Sequence, residues 1–167
     1  MKSSLITSAV TFVLYLVLTV GTGDILFWSS AELVAGVILS ILAGLVGRKL
    51  LFRNEDYRML NPVRWLYFIV YLVPFFFAMA KANIDVAYRV ITGRIKPGIV
   101  KISPRLRTDL GITLLANSIT LTPGTLSVDI DEEKNDLYIH WINVVHKKPE
   151  IEEVCNGFPE WIRRIAE

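Results

Sequence analysis

The sequence predicts an α+β membrane protein: an N-terminal transmembrane helical hairpin plus a third apolar helix, then a small β-α-β-β-α cytoplasmic domain. Three observations predict it. Of 167 residues 53% are hydrophobic and the mean hydropathy is +0.46, more than the core of a soluble domain of this size requires. Apolar runs of helical length fill the first half, whereas from Lys96 onward the pattern shortens to alternating segments broken by turn residues. The charges are segregated although their sum is only +2: residues 81–107 hold seven Lys/Arg and one acid, and residues 108–167 hold five and eleven.

The first element is the uncharged run Leu5–Gly23, nineteen residues. At about 1.5 Å per helical residue it matches a hydrocarbon core of roughly 30 Å. Met1-Lys2 before an apolar run also suits a signal peptide, but no A-x-A-like cleavage site follows. "GTGDILFWSSAE" then supplies a turn, the acids Asp24 and Glu32, and Trp28, whose amphipathic ring suits a lipid–water boundary. Leu33–Gly47 is again uncharged. The two spans are expected at about 5–23 and 31–51. Gly36, Ser40, Gly44 and Gly47 recur at three- or four-residue steps, which puts them on one helix face where another backbone can approach closely. "RKLLFRNEDYR" with Arg64 sets five Lys/Arg against two acids, which by the positive-inside rule marks the cytoplasmic side.

The third apolar run, Trp65–Ala80, has Pro74 in its middle and continues into "KANIDVAYRVI", giving a helix expected at about 63–91. Its length leaves the topology open. A full crossing after an N-in hairpin would put the basic stretch outside, against the charge rule. A helix lying in the interface, or a bent segment packed on protein at membrane depth, keeps it inside. Three crossings with the N-terminus outside would do so as well. The expected division is a membrane domain at 1–95 and a cytoplasmic α+β domain at 96–167.

In that domain "KPGIVKIS" reads as a strand after a Pro-Gly turn. Arg105–Ser118 reads as a helix with Leu106, Leu110, Thr113/Leu114 and Asn117 along one face. "TLSVDI" and "LYIHWINVV" read as strands around the acidic loop "DEEKND". Glu150–Glu167 reads as an amphipathic helix that Gly157 and Pro159 threaten to break. In "TPGT", Pro123 suits position i+1 of a turn and Gly124 the positive φ of position i+2, while Thr120, Thr122 and Thr125 offer hydroxyls to the helix end. A phosphate-cradling loop is the rival, but the P-loop spacing and its lysine are absent.

Catalytic and ligand-binding patterns are scarce. Cys155 is the single cysteine, His140 and His146 stand apart from other ligands, and no nucleophile–base set is spaced for catalysis. No metal, no cofactor, no nucleic-acid partner and no enzyme activity are expected. The first two spans also lack the buried ionisable group that carries ions through lipid. Lys81 and Asp85, four residues apart beyond the third run, are the candidate membrane-edge charges.

"NSITLTPGTLSVDI", Asn117 to Ile130, followed by "LYIHWINV", closely resembles the E subunit of the Mrp-type (Mnh-type) multisubunit cation/proton antiporters of prokaryotes. The likeness extends over the chain as layout: apolar half, basic connector ending "IKPGIVKI", the quoted core, and an acidic tail helix. It singles out Asn117, Thr120, Thr122, Pro123, Gly124, Thr125, Asp129 and His140 as family-motif and assembly residues. It implies a multi-pass subunit in the prokaryotic cell membrane, partnered by the other antiporter subunits and by the bilayer, within a complex that exchanges sodium or another monovalent cation for protons. Ion conduction in such complexes is attributed mainly to large subunits related to respiratory complex I, so the expected role is accessory. The alternative is a free-standing, membrane-anchored cytoplasmic binding module.

Overall fold

The computed structural model describes residues 2–21, 27–51, 58, 61–146 and 149–167, and its contacts divide the chain into two compact units, Met1–Tyr57 and Arg58–Glu167. The first unit holds α1 (Lys2–Leu18) and α2 (Ser30–Leu51). α2 starts where it does because of a reciprocal cap: the Ser29 amide donates to Glu32 Oε2 at 2.7 Å and the Glu32 amide to Ser29 Oγ at 3.3 Å. Glu32 therefore belongs to the first turn of a helix. α1 ends at Leu18, earlier than the expected span 5–23, and Asp24 lies outside the described residues. The indole of Trp28 donates to the Leu16 carbonyl at 3.1 Å, occupying one acceptor that the end of α1 leaves open.

The second unit runs α3 (Pro62–Thr92), β1 (Gly98–Ile102), α4 (Asp109–Leu121), β2 (Thr125–Asp131), β3 (Asp136–Trp141), α5 (Ile151–Cys155) and α6 (Phe158–Ala166). α3 is bounded by local chemistry. Asn61 Oδ1 accepts from the Val63 amide at 3.0 Å, Pro62 sits in the first turn, and Gly93 closes the helix at φ +67°. The strands form an antiparallel sheet in the order β1-β3-β2. Pairing aligns Val100 with Ile139 and Ser127, and Ile99 with His140 and Leu126, so alternate rows face opposite sides. Val100, Ile102, Leu137 and Ile139 are buried in one cluster with Ile112, Leu115 and Ile119 of α4 and Phe158, Ile162 and Ile165 of α6. Each such side chain contributes about 1.5–3 kcal/mol by leaving water. Ile99, Leu126 and His140 face outward and are exposed.

Five sequence expectations change here. The division expected after residue 95 separates α3 from the elements it packs on, because Tyr71 and Phe75 of α3 belong to the same buried cluster as Phe158. α4 begins at Asp109, since Thr108 Oγ1 caps it by accepting from the Gly111 amide at 3.0 Å. Its buried face is Gly111, Ile112, Leu115, Ser118 and Ile119; of the expected line Leu106, Leu110, Thr113/Leu114 and Asn117, Leu110 and Leu114 pack partly buried at the core's edge, and Thr113 and Asn117 are exposed. Leu106 is buried, but from the preceding loop, and counting from it misphased the helix. The terminal helix is two helices: Asn156 at φ +48° and Gly157 at φ +75° turn the chain, and Pro159 starts α6. β3 stops at Trp141, and the chain beyond it bridges back to Lys96 through the Val144 amide at 2.8 Å.

Candidate functional site

The Thr-Pro-Gly-Thr turn sits where α4, β2 and α3 meet. The Thr125 amide donates to the Thr122 carbonyl at 3.2 Å, with Pro123 and Gly124 between them and Gly124 at φ +87°, the geometry of a type II turn. The hydroxyls finish the helix. Thr122 Oγ1 donates to the Ser118 carbonyl at 2.8 Å, and Thr125 Oγ1 reaches the Ile119 and Thr122 carbonyls at 2.7 and 2.9 Å. Thr120 Oγ1 accepts from the Ser127 amide at 3.2 Å, tying the last turn of α4 to β2. The Ile119 and Thr122 carbonyls also accept from the Thr122 and Thr125 amides at 3.1 and 3.2 Å, so backbone and side chains together finish the helix end. A Cβ at Gly124 would lie 2.9 Å from Ile142 Cγ2 and 3.0 Å from Val86 Cγ2, so the turn is wedged between the sheet's exit and α3.

The other motif residues lie apart from this knot. Asn117 is exposed on α4 and His140 is exposed on the outer sheet face. Asp129 follows the irregularity between Ser127 and Asp129 and accepts from the Ile130 amide at 2.9 Å. Lys81 and Asp85 are both exposed, and Asp85 pairs with Arg89 at 2.6 Å rather than with Lys81.

In the first unit, α1 and α2 run antiparallel along the small residues. A Cβ on Gly36 would sit 2.7 Å from the Tyr15 ring, and one on Gly44 would sit 2.0 Å from Ser8 Oγ and 2.7 Å from the Ser4 carbonyl. Ser4 Oγ donates to the Gly44 carbonyl at 3.0 Å, and buried Ser40 turns its hydroxyl back to the Gly36 carbonyl at 2.6 Å. Gly36, Ser40 and Gly44 thus share the face that meets α1; Gly47, one turn further, is half-buried.

Three features had no sequence signal strong enough to find them. Tyr71 in α3 donates to Ser118 Oγ at 2.7 Å, and the Ser118 hydroxyl donates in turn to the Leu114 carbonyl at 2.7 Å, a buried hydroxyl chain joining α3 to α4. Phe158 packs edge-on to Tyr71 and tilted against Phe75, both at 5.8 Å between centroids. Lys101 pairs with Asp136 at 2.8 Å across β1 and β3. The Lys101 hydrogen bond, seconded by one from Ser103, holds the Asp136 carboxyl below the usual carboxylate range, and the same bond raises Lys101. Among the described residues no group of three His, Cys, Asp or Glu is gathered as metal ligands would be.

Two helices, α2 over Ser30–Gly47 and α3, are by length and composition apolar enough to cross a membrane, and they accompany a small antiparallel sheet, so the chain is of mixed helix and sheet with two candidate spans. The chain belongs to the MNHE family, Na+/H+ ion antiporter subunit, whose model matches residues 8–165. It is 33% identical to the Na(+)/H(+) antiporter E subunit of Alkalihalophilus pseudofirmus, covering 83% of this chain and 86% of that one. It is 34% identical to the corresponding E1 subunit of Staphylococcus haemolyticus over 85% and 90% of the two chains. Among solved structures, a chain of the membrane-bound sulfane sulfur reductase, an archaeal respiratory membrane complex, is 36% identical with a TM-score of 0.80 over 99% of both chains.

Proposed function

We propose that the chain is an accessory subunit of a multisubunit cation/proton antiporter, contributing structure or regulation to the complex without turning over alone. Family membership over nearly the whole chain supports the complex. The accessory role is carried by one observation: neither Leu5–Gly23 nor Leu33–Gly47 contains a charged residue. An exchanger moves its ions past protonatable groups held at membrane depth. Glu32, the acid nearest the second span, is engaged with Ser29 in a helix cap. The chemistry left to these two helices is packing.

In this reading α1 and α2 form a transmembrane hairpin closed by Gly36, Ser40 and Gly44, and the α+β elements stand on the cytoplasmic side, where the basic connector is favoured. The chain is a transporter component and not an enzyme, and the outward residues of the motif, Asn117, Asp129 and His140, are free to meet other subunits. The test is recovery of a C-terminally tagged copy from membranes in mild detergent. Large, very hydrophobic antiporter subunits should accompany it, and recovery of the chain alone under conditions that keep other membrane complexes intact would overturn the proposal.

The archaeal structure favours a second reading. At 36% identity over 99% of each chain, that relative belongs to a respiratory complex, so the same fold serves a membrane assembly with a different activity. Recovery of redox subunits with the tagged chain would select that reading over the antiporter.

A further inference from the structure

We propose that α3 lies in the plane of the cytoplasmic membrane interface, its outer face on anionic lipid and its inner face on the α+β elements, so that the chain crosses the bilayer through α1 and α2 alone. The inference rests on the cytoplasmic placement proposed above, and it deepens that placement by naming the surface that seats the unit.

The inner face is committed along the length a crossing would need. Arg64 donates to the Ile165 carbonyl at 2.8 Å, Tyr71 and Phe75 pack on Phe158, Ala78 and Met79 line the same core, and Val86 meets the Gly124 turn. From residue 64 to 86 is about 33 Å of helix, against a hydrocarbon core of about 30 Å. The elements on that side carry Lys101–Asp136, Glu160 and Arg163, which have no place in hydrocarbon.

The outer face is apolar and uncovered. Leu66, Val70, Val73, Phe77, Ile84 and Ile91 recur at helical spacing, each between 42% and 84% exposed, a stripe larger than soluble surfaces leave open. Lys81 stands at its flank, where a long stem lets the ammonium reach the headgroups. Both ends of the helix are basic: Arg58 precedes it and Arg64 stands in its first turn, held by the Ile165 carbonyl, while Arg89 lies in its last turn, paired with Asp85, and Arg94 and Lys96 follow beyond its end. A crossing helix would put one basic end on each side of the membrane, whereas an in-plane helix gives both to one anionic headgroup layer. The stripe is also built unlike a protein-facing membrane surface. Close helix contacts want small residues, as Gly36, Ser40 and Gly44 show on α2, and the outer line of α3 has branched and aromatic side chains instead.

The experiment uses the full chain in its tagged complex, reconstituted in bilayers containing anionic phospholipid. Leu66→Cys, Val73→Cys, Ile84→Cys and Ile91→Cys are spin-labelled one at a time, and the unmodified chain, whose Cys155 is fully buried, supplies the background. Collision with oxygen and with a polar nickel chelate then gives depth. All four labels should lie at one shallow depth, about 5–10 Å below the headgroups. Depths that pass through a maximum between Leu66 and Ile91, which are about 37 Å apart along a helix, would overturn the proposal in favour of a crossing. Labels reached by neither reagent would overturn it in favour of a protein partner. As a second measurement on the same variants, a membrane-impermeant thiol reagent added to sided vesicles should block Leu66→Cys and Ile91→Cys from the same side, and blocking from opposite sides refutes it. The identity of the copurifying subunits is read separately by mass spectrometry, so failure of the antiporter reading leaves the depth result standing.

Discussion

Replacing Gly124 by alanine tests the turn as a joint among α4, β2 and α3. The φ of +87° costs an alanine about 1–2 kcal/mol in left-handed backbone strain. Its Cβ also meets Ile142 and Val86 at 2.9 and 3.0 Å, and overpacking of that kind costs about 1–3 kcal/mol more. Loss of glycine's freedom in the unfolded chain returns roughly 0.4–1 kcal/mol. The net is about 3 kcal/mol, on the order of a hundredfold in the opening equilibrium. Cys155 provides the readout: it is the chain's single cysteine, it is fully buried within the same unit, and burial pushes its thiol up to about 12, so a thiol reagent near neutral pH reaches it only through opening. Gly124→Ala in the detergent-solubilised full chain should speed Cys155 labelling about a hundredfold. Gly93→Ala is the control, because Gly93 has a φ of +67° but no atom within 4 Å of a built Cβ, and it should show only the strain of about 1–2 kcal/mol. A Gly124→Ala rate within about threefold of the parent, or no larger than that of Gly93→Ala, would refute the wedge.

Tyr71→Phe removes the donor to Ser118 while Ser118 keeps its bond to the Leu114 carbonyl, so the expected cost is about 0.5–1.5 kcal/mol, read as a three- to tenfold rise in Cys155 labelling. Phe158→Ala empties a site that is 1% exposed between Tyr71 and Phe75 and should cost about 3–5 kcal/mol, enough to leave Cys155 open to reagent without denaturant. Gly44→Val drives a side chain into Ser8 and the Ser4 carbonyl, and should lower recovery of the chain with its partners while leaving the labelling rate of Cys155, in the other unit, unchanged. The Lys101–Asp136 pair sets a pH window. Because the Asp136 carboxyl is depressed, its stabilisation is complete above the ordinary carboxylate pKa of about 4 and is lost as pH falls through the lower folded value; because Lys101 is raised, its share is complete below about 10.4 and is lost above that. Asp136→Asn should remove the acid limb attributable to this site from a labelling-versus-pH profile, and an unchanged limb would assign it elsewhere.

How much of this was legible in the sequence depends on whether the deciding signal was local. The turn was readable because Pro123 and Gly124 each state a backbone angle, and the hairpin loop because "DEEKND" is acidic and breaks two alternating runs. The small residues on α2 were readable because three- and four-residue steps place them on one face whatever the partner is. The start of α4 was not, since Thr108 looks like any threonine until Gly111 donates to it, and the apolar count begun at Leu106 gave the wrong phase. The Lys101–Asp136 pair depends on strand register, which joins residues 35 positions apart.

The third helix shows the limit most clearly. Its inner line (Arg64, Phe68, Tyr71, Phe75, Ala78/Met79, Ala82 and Val86) has the i, i+3, i+4, i+7 spacing of a helix packed on protein, but it is embedded in a sequence where nearly every other position is also apolar. Hydropathy averages the two faces and reports a span. What separates them is the kind of apolar side chain each face carries and the polar anchors of the inner face: Arg64 on the Ile165 carbonyl, and in mid-helix the Tyr71 hydroxyl, which would lack a partner in lipid and finds Ser118 instead. A tyrosine in the middle of an apolar run, in line with an arginine seven residues before it, is therefore a signal that such a helix has a protein side. Hydropathy alone discards it.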